Sequence, residues 1–140
     1  MRRTAASFLL AGLLLGCRSE TPEAQVRAAF EACRTAVEAG DAAAATAPLD
    51  PAFRGPDGLD RASSRVFLQA TFRQQRVGVT VLRNAVTERN GEFLQEVDLV
   101  LTGKSGALLP EDASHRTFLL RWRKTAGAWR LSELRAADGG

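Results

Sequence analysis

Few side chains in these 140 residues could do chemistry. Glu133 is the acid–base candidate. On an apolar strand face its carboxylate would lose water, and desolvation raises a carboxyl pKa towards the range where it exchanges protons. His115, the single histidine, could act as a general base. Asn84 and Gln95 with Trp122 and Trp129 have the composition of a ligand pocket, apolar rings with a few amide fixtures. Cys33 falls on the apolar stripe of a helix, where a thiol is a small inert hydrophobe. Thr102-Gly103-Lys104-Ser105 looks like the end of a phosphate-binding loop. Asp98 stands where that motif requires glycine, however, and Pro110 with Gly103 and Gly106 leaves no helix N-terminus to hold phosphate. One histidine and two cysteines cannot assemble a His-rich metal centre, so neither a metal nor a cofactor is expected.

The elements that must position these groups begin at Thr21-Pro22-Glu23, a cap hydroxyl, a first-turn proline and an acid that complements the helix dipole. Val26, Phe30, Cys33 and Val37 make one helical face, and Gly40 ends it. Asp41 caps a short second helix through Ala47. Residues 48–58 hold three prolines and two glycines and read as a loop. Asp60 caps a third helix to about Gln75, with Ala62, Val66 and Ala70 expected on its inner side. Arg61, Arg65, Arg73 and Arg76 share one sector of that helix. Such a basic stripe is either a solvated face or a contact for anionic lipid headgroups.

From Val77 the period changes to two. Asn90-Gly91 supports a two-residue type I′ turn, which sets Arg89 opposite Glu92, Arg83 opposite Asp98 and Leu82 opposite Leu99. Leu82, Val86, Phe93, Val97, Leu99 and Leu101 then share an apolar face, while Arg83, Ala85, Thr87, Glu96 and Asp98 share the other. A second hairpin, residues 116–124 and 128–135, turns at Ala126-Gly127 and pairs Trp122 with Leu131 and Lys124 with Trp129. Phe118, Leu120, Trp122, Trp129 and Leu131 share one face, with Arg121, Arg123 and Arg130 opposite. Lys124 would lie beside the Trp129 ring in a cation–π contact. Asn84, Gln95 and Glu133 join the inner face, either as polar fixtures of a pocket or at its open ends in water. The sum is an α+β fold: N-terminal helices packed on a curved antiparallel sheet of about four strands, cone-like in outline.

Ahead of this domain, Arg2 and Arg3 precede an uncharged run from Ala5 to Gly16, too short for the roughly 20 residues that span a bilayer. A positive start, a short apolar core and a small residue before the cut describe a secretory signal peptide. Leu14-Leu15-Gly16-Cys17 resembles the lipobox of bacterial lipoproteins. The resemblance implies cleavage before Cys17, acylation of that cysteine (palmitate among its chains) and retention at the cell envelope. In a Gram-negative organism this is the periplasmic side of the outer membrane. The expected layout is a leader over residues 1–16, the acylated cysteine and tether over 17–21, one domain over 22–136 and a frayed tail over 137–140. Loss of Arg2 and Arg3 with the leader brings the formal charge from +3 to +1, which gives no support to nucleic-acid binding. With Cys17 lipidated, Cys33 has no disulfide partner, and the fold must stand on its apolar core.

The helix break at Ala39-Gly40-Asp41 and the closing hairpin, Trp122-Arg123-Lys124 and Gly127-Ala128-Trp129-Arg130-Leu131, resemble the nuclear transport factor two-like superfamily of cone-shaped, cystatin-like folds. That resemblance implies a sheet and helices around a pocket, in a group ranging from enzymes to binding and scaffold modules. Its ketosteroid isomerases hold an oxyanion with a tyrosine, and this chain has no tyrosine, so that mechanism does not transfer. The expectation is a lipid-anchored envelope module with a non-catalytic binding or scaffold domain, its partner an envelope protein or an apolar ligand. The alternative is a pocket enzyme, an isomerase or hydrolase of a small apolar substrate.

Overall fold

The computed structural model describes residues 20–103 and 115–137. The leader, Cys17, residues 104–114 and the tail from residue 138 lie outside the described residues. Helix α1 (Pro22–Ala39) starts as its sequence dictates: the Thr21 hydroxyl accepts the Ala24 N–H, and Gly40 closes it in the left-handed region at φ 71°. Val26 and Phe30 are buried on its inner side. Asp41 caps α2 (Ala42–Thr46), and Asp60 forms a reciprocal capping box with Ser63 at the start of α3 (Arg61–Gln74).

The proline-rich stretch read as a loop contains a strand, β1 (Leu49–Arg54). Leu49 and Phe53 are buried, and a strand at the sheet edge tolerates Pro51 because its outward side needs no donor. Asp50 secures it: its carboxylate accepts the Ala52 N–H at 2.9 Å and the Thr125 hydroxyl at 2.8 Å. The remaining strands are β2 (Gly78–Arg89), β3 (Glu92–Thr102), β4 (His115–Thr125) and β5 (Ala128–Ala136). The sheet therefore has five strands rather than four, in the order β1-β5-β4-β3-β2, with β1 parallel to β5 and the other pairs antiparallel. Helix α1 packs on its inner face, and α3 packs against α2 and β1.

Both hairpin turns use left-handed pairs, Asn90-Gly91 and Ala126-Gly127. Arg89 faces Glu92, Arg83 faces Asp98, Trp122 faces Leu131 and Lys124 faces Trp129. Three expected placements are corrected. A bulge between Val81 and Arg83 sets Val81, not Leu82, opposite Leu99, and leaves Leu82 59% exposed. A second bulge, between Arg121 and Trp122 on one strand and Glu133 and Leu131 on the other, makes Ser132 the extra residue. Its hydroxyl donates to the Arg121 carbonyl at 3.0 Å. Glu133 consequently faces outward opposite Arg121, and Leu134 takes the inward place. On α3 the inward residues are Ser64, Leu68, Thr71 and Phe72, whereas Ala62, Val66 and Ala70 face solvent.

Candidate functional site

Strand β3 alternates cleanly, so Phe93, Gln95, Val97 and Leu99 all point into the core. A primary amide among three apolar side chains must find partners in the protein. Gln95 finds them on both neighbouring strands. Its Oε1 accepts the Trp122 indole N–H from β4 at 2.8 Å, and its Nε2 donates to Asn84 Oδ1 on β2 at 2.9 Å. Trp122 is fully buried and Gln95 is 1% exposed, while Asn84 is half-buried. The three side chains thus form a polar line across adjacent strands, from the centre of the core towards its margin.

Apolar side chains pack around that line. Trp122 packs in one cluster with Val26 and Phe30 of α1, Leu49 and Phe53 of β1, and Phe93, Val97, Leu120 and Leu131 of the sheet. Trp129 lies against the same cluster, its ring meeting Phe93 edge-on at 5.1 Å and 79°. Its indole nitrogen is buried without a hydrogen-bond partner among the described residues. The structure thus joins Asn84, Gln95 and Trp122 by hydrogen bonds and sets Trp129 against the same packed cluster.

The two acid–base candidates are kept apart from this centre and from each other. Glu133 lies on the outer sheet face between two guanidinium groups, 3.9 Å from Arg121 Nε and 3.9 Å from Arg135 Nε. His115 is exposed at the start of β4, opposite Val100. Six residues of strand separate it from Arg121, about 20 Å at the usual rise.

On the outer face, a groove of about 470 Å³ runs over an apolar floor of Ala85, Leu94 and Leu119. Arg83, Arg89, Arg121 and Arg135 line it together with Glu96 and Glu133. Arg83 pairs with Glu96 at 2.7 Å, and Glu133 lies 3.9 Å from Arg121 and Arg135, so the lining carries four arginines against two carboxylates. Alternation in the sequence predicts most of this outward surface, and the Ser132 bulge, which no local pattern signals, adds Glu133 to it.

Cys33 is held on α1 with its thiol directed at the Ala45 carbonyl at 3.6 Å, and burial pushes its pKa up to about 11. A thiol so far from ionising is a poor nucleophile and a poor metal ligand. Among the described residues no group of His, Cys, Asp and Glu is placed to hold a metal ion, and no helix is long and apolar enough to cross a membrane. Arg61, Arg65, Arg73 and Arg76 are all exposed on or just after α3.

No protein-family model and no curated protein matches the sequence. Solved structures do match in shape. An NTF2-like protein from Cytophaga hutchinsonii superposes with a TM-score of 0.67 at 12% identity, covering 84% of this chain and 98% of that one. An NTF2-like protein with a cystatin-like fold from Novosphingobium aromaticivorans gives 0.63 at 20% identity, covering 84% and 83%. Bd1075 of Bdellovibrio bacteriovorus gives 0.66 at 13% identity over 80% of this chain, which spans 40% of that protein's length. The fold is accordingly NTF2-like, of the cystatin-like α+β type. Identities this low speak for the fold, and function must be argued from the chain's own residues.

Proposed function

We propose that this chain is a lipid-anchored cell-envelope protein whose NTF2-like domain serves as a binding or scaffold module. The observation that carries the reading is the coincidence of Arg2-Arg3, an uncharged run and Leu14-Leu15-Gly16-Cys17 directly ahead of a domain whose first helix starts at Pro22. Several acyl chains on one cysteine hold a domain stably, since each buried methylene contributes about 0.8 kcal/mol. A non-catalytic role is supported by how the polar side chains of the core are used. Trp122, Gln95 and Asn84 spend hydrogen bonds on one another, and Glu133 is engaged by two arginines outside.

Intact-mass analysis of the membrane fraction tests the anchor. The wild-type chain should begin at Cys17 and carry acyl mass, and Cys17→Ala should accumulate as unprocessed precursor. An unacylated wild-type chain in the cytosol would overturn the proposal.

A further inference from the structure

Helix α3 turns an apolar stripe to solvent. Ala62, Val66 and Ala70, at i, i+4 and i+8, are all exposed; Val66 is 64% exposed and Phe67, next to it, 57%. Only a narrow side of the helix is used for packing on α2 and β1, because the inward residues Ser64, Leu68 and Phe72 stack one above another at the same spacing. Alongside the exposed stripe run Arg61, Arg65 and Arg73, and Arg76 follows the helix end.

The charge here is one-sided. Helix α3 contains no acidic residue, and none of these four arginines makes an ion pair with a described carboxylate. Two acids stand at the margins. The Asp60 carboxylate accepts the Ser63 N–H and hydroxyl at the helix start, and Asp41 shares a shallow concavity with Arg73. Arginines on both helix and adjoining turn, beside two large exposed apolar side chains, form the amphipathic pattern that sits at a lipid–water boundary. At such a boundary guanidinium groups would meet headgroup phosphates, and Val66 and Phe67 would enter the acyl margin.

We infer that the exposed face of α3 is a docking surface for an anionic lipid bilayer, a second membrane contact beside the lipid at Cys17. The inference rests on the anchored reading for keeping the domain beside a membrane. The tether is short: on that reading only residues 18–21 separate the acylated cysteine from α1. A face with weak intrinsic affinity then works at high effective concentration.

The test uses the chain from residue 17 with Cys17→Ser, which retains every described element and the whole core and has no acyl chain. Failure of acylation and failure of this surface are thereby read separately. Co-sedimentation with phosphatidylcholine vesicles, with and without phosphatidylglycerol, should show binding to the anionic vesicles alone, weakened as salt rises from about 0.1 to 0.5 M. Arg65→Gln with Arg73→Gln should lower partitioning about 25-fold, taking about fivefold per arginine near a charged surface. Val66→Ser with Phe67→Ser should lower it further, while Arg89→Gln at the distant β2–β3 turn should leave it unchanged. Equal binding to neutral vesicles, no binding, or loss on Arg89→Gln equal to that of the α3 variants would overturn the inference. A lipid-free dimer abolished by Val66→Ser would also overturn it, assigning the face to a second copy of the chain. All these substitutions are on exposed side chains. Should one nonetheless unfold the protein, the lipid and salt dependence of the unsubstituted chain still decides.

Discussion

The Trp122 indole N–H donates to Gln95 Oε1 at 2.8 Å inside the core, with neither side chain more than 1% exposed. Removing one partner of a buried hydrogen bond costs the desolvation of the other, about 1–3 kcal/mol. Trp122→Phe should therefore destabilise by at least that amount, since it also leaves space where the indole was. Gln95→Leu should cost a similar amount by stranding both the Trp122 N–H and Asn84. The double variant should lose less than the two singles added, because it removes donor and acceptor together. Urea unfolding of the four proteins measures the coupling, and strictly additive losses would show the bond is not coupled.

Asp50 predicts an acid-labile edge. The Ala52 N–H, then the Thr125 hydroxyl, hold its carboxyl below the ordinary 3.8. A group with a lowered folded pKa stabilises fully above its unfolded value and loses that contribution as pH falls through the folded one. The stability lent by Asp50 should thus be complete above about pH 5 and fade below 3.8. Asp50→Asn should flatten stability against pH in that window, and a profile as steep as the parent's would show that other carboxylates set it.

The Cys33 thiol, raised to about 11 by burial, should be nearly inert at pH 8. In a Cys17→Ser background a colorimetric disulfide reagent should react slowly with native protein and at once in denaturant. Rapid stoichiometric reaction of the native protein would contradict the burial.

Glu133 should be energetically minor. Its arginine partners are 3.9 Å away and it is itself over a third exposed on its side chain, so Glu133→Gln should change stability by less than about 1 kcal/mol. A loss of several kcal/mol would place the carboxylate in the core, where strict period-two alternation sets it.

Gly91 sits at φ 78° with nothing within 4 Å of where a Cβ would be. Gly91→Ala should still cost about 1 kcal/mol, because the strain lies in the backbone and not in crowding. Thermal unfolding checks it, and a neutral outcome would argue against the type I′ turn.

Local physics made much of this legible. Helix caps at Thr21, Asp41 and Asp60 and turns at Asn90-Gly91 and Ala126-Gly127 involve residues within four positions of one another, so the sequence states them directly. Turn geometry then carried the register of both hairpins as far as the first bulge. By itself the sequence determined the α+β class, the helix ends, the two hairpins and the core residues of α1 and the hairpins. Tertiary structure decided the rest, for reasons no short window contains. Pro51 is accepted because β1 docks at an edge beside β5, far along the chain. Two one-residue bulges reverse every side chain beyond them, turning Glu133 outward and exposing Leu82. Which apolar stripe of α3 is buried depended on the shape offered by α2 and β1. Leu68 and Phe72 fit that surface, and Val66 was left on the exposed face.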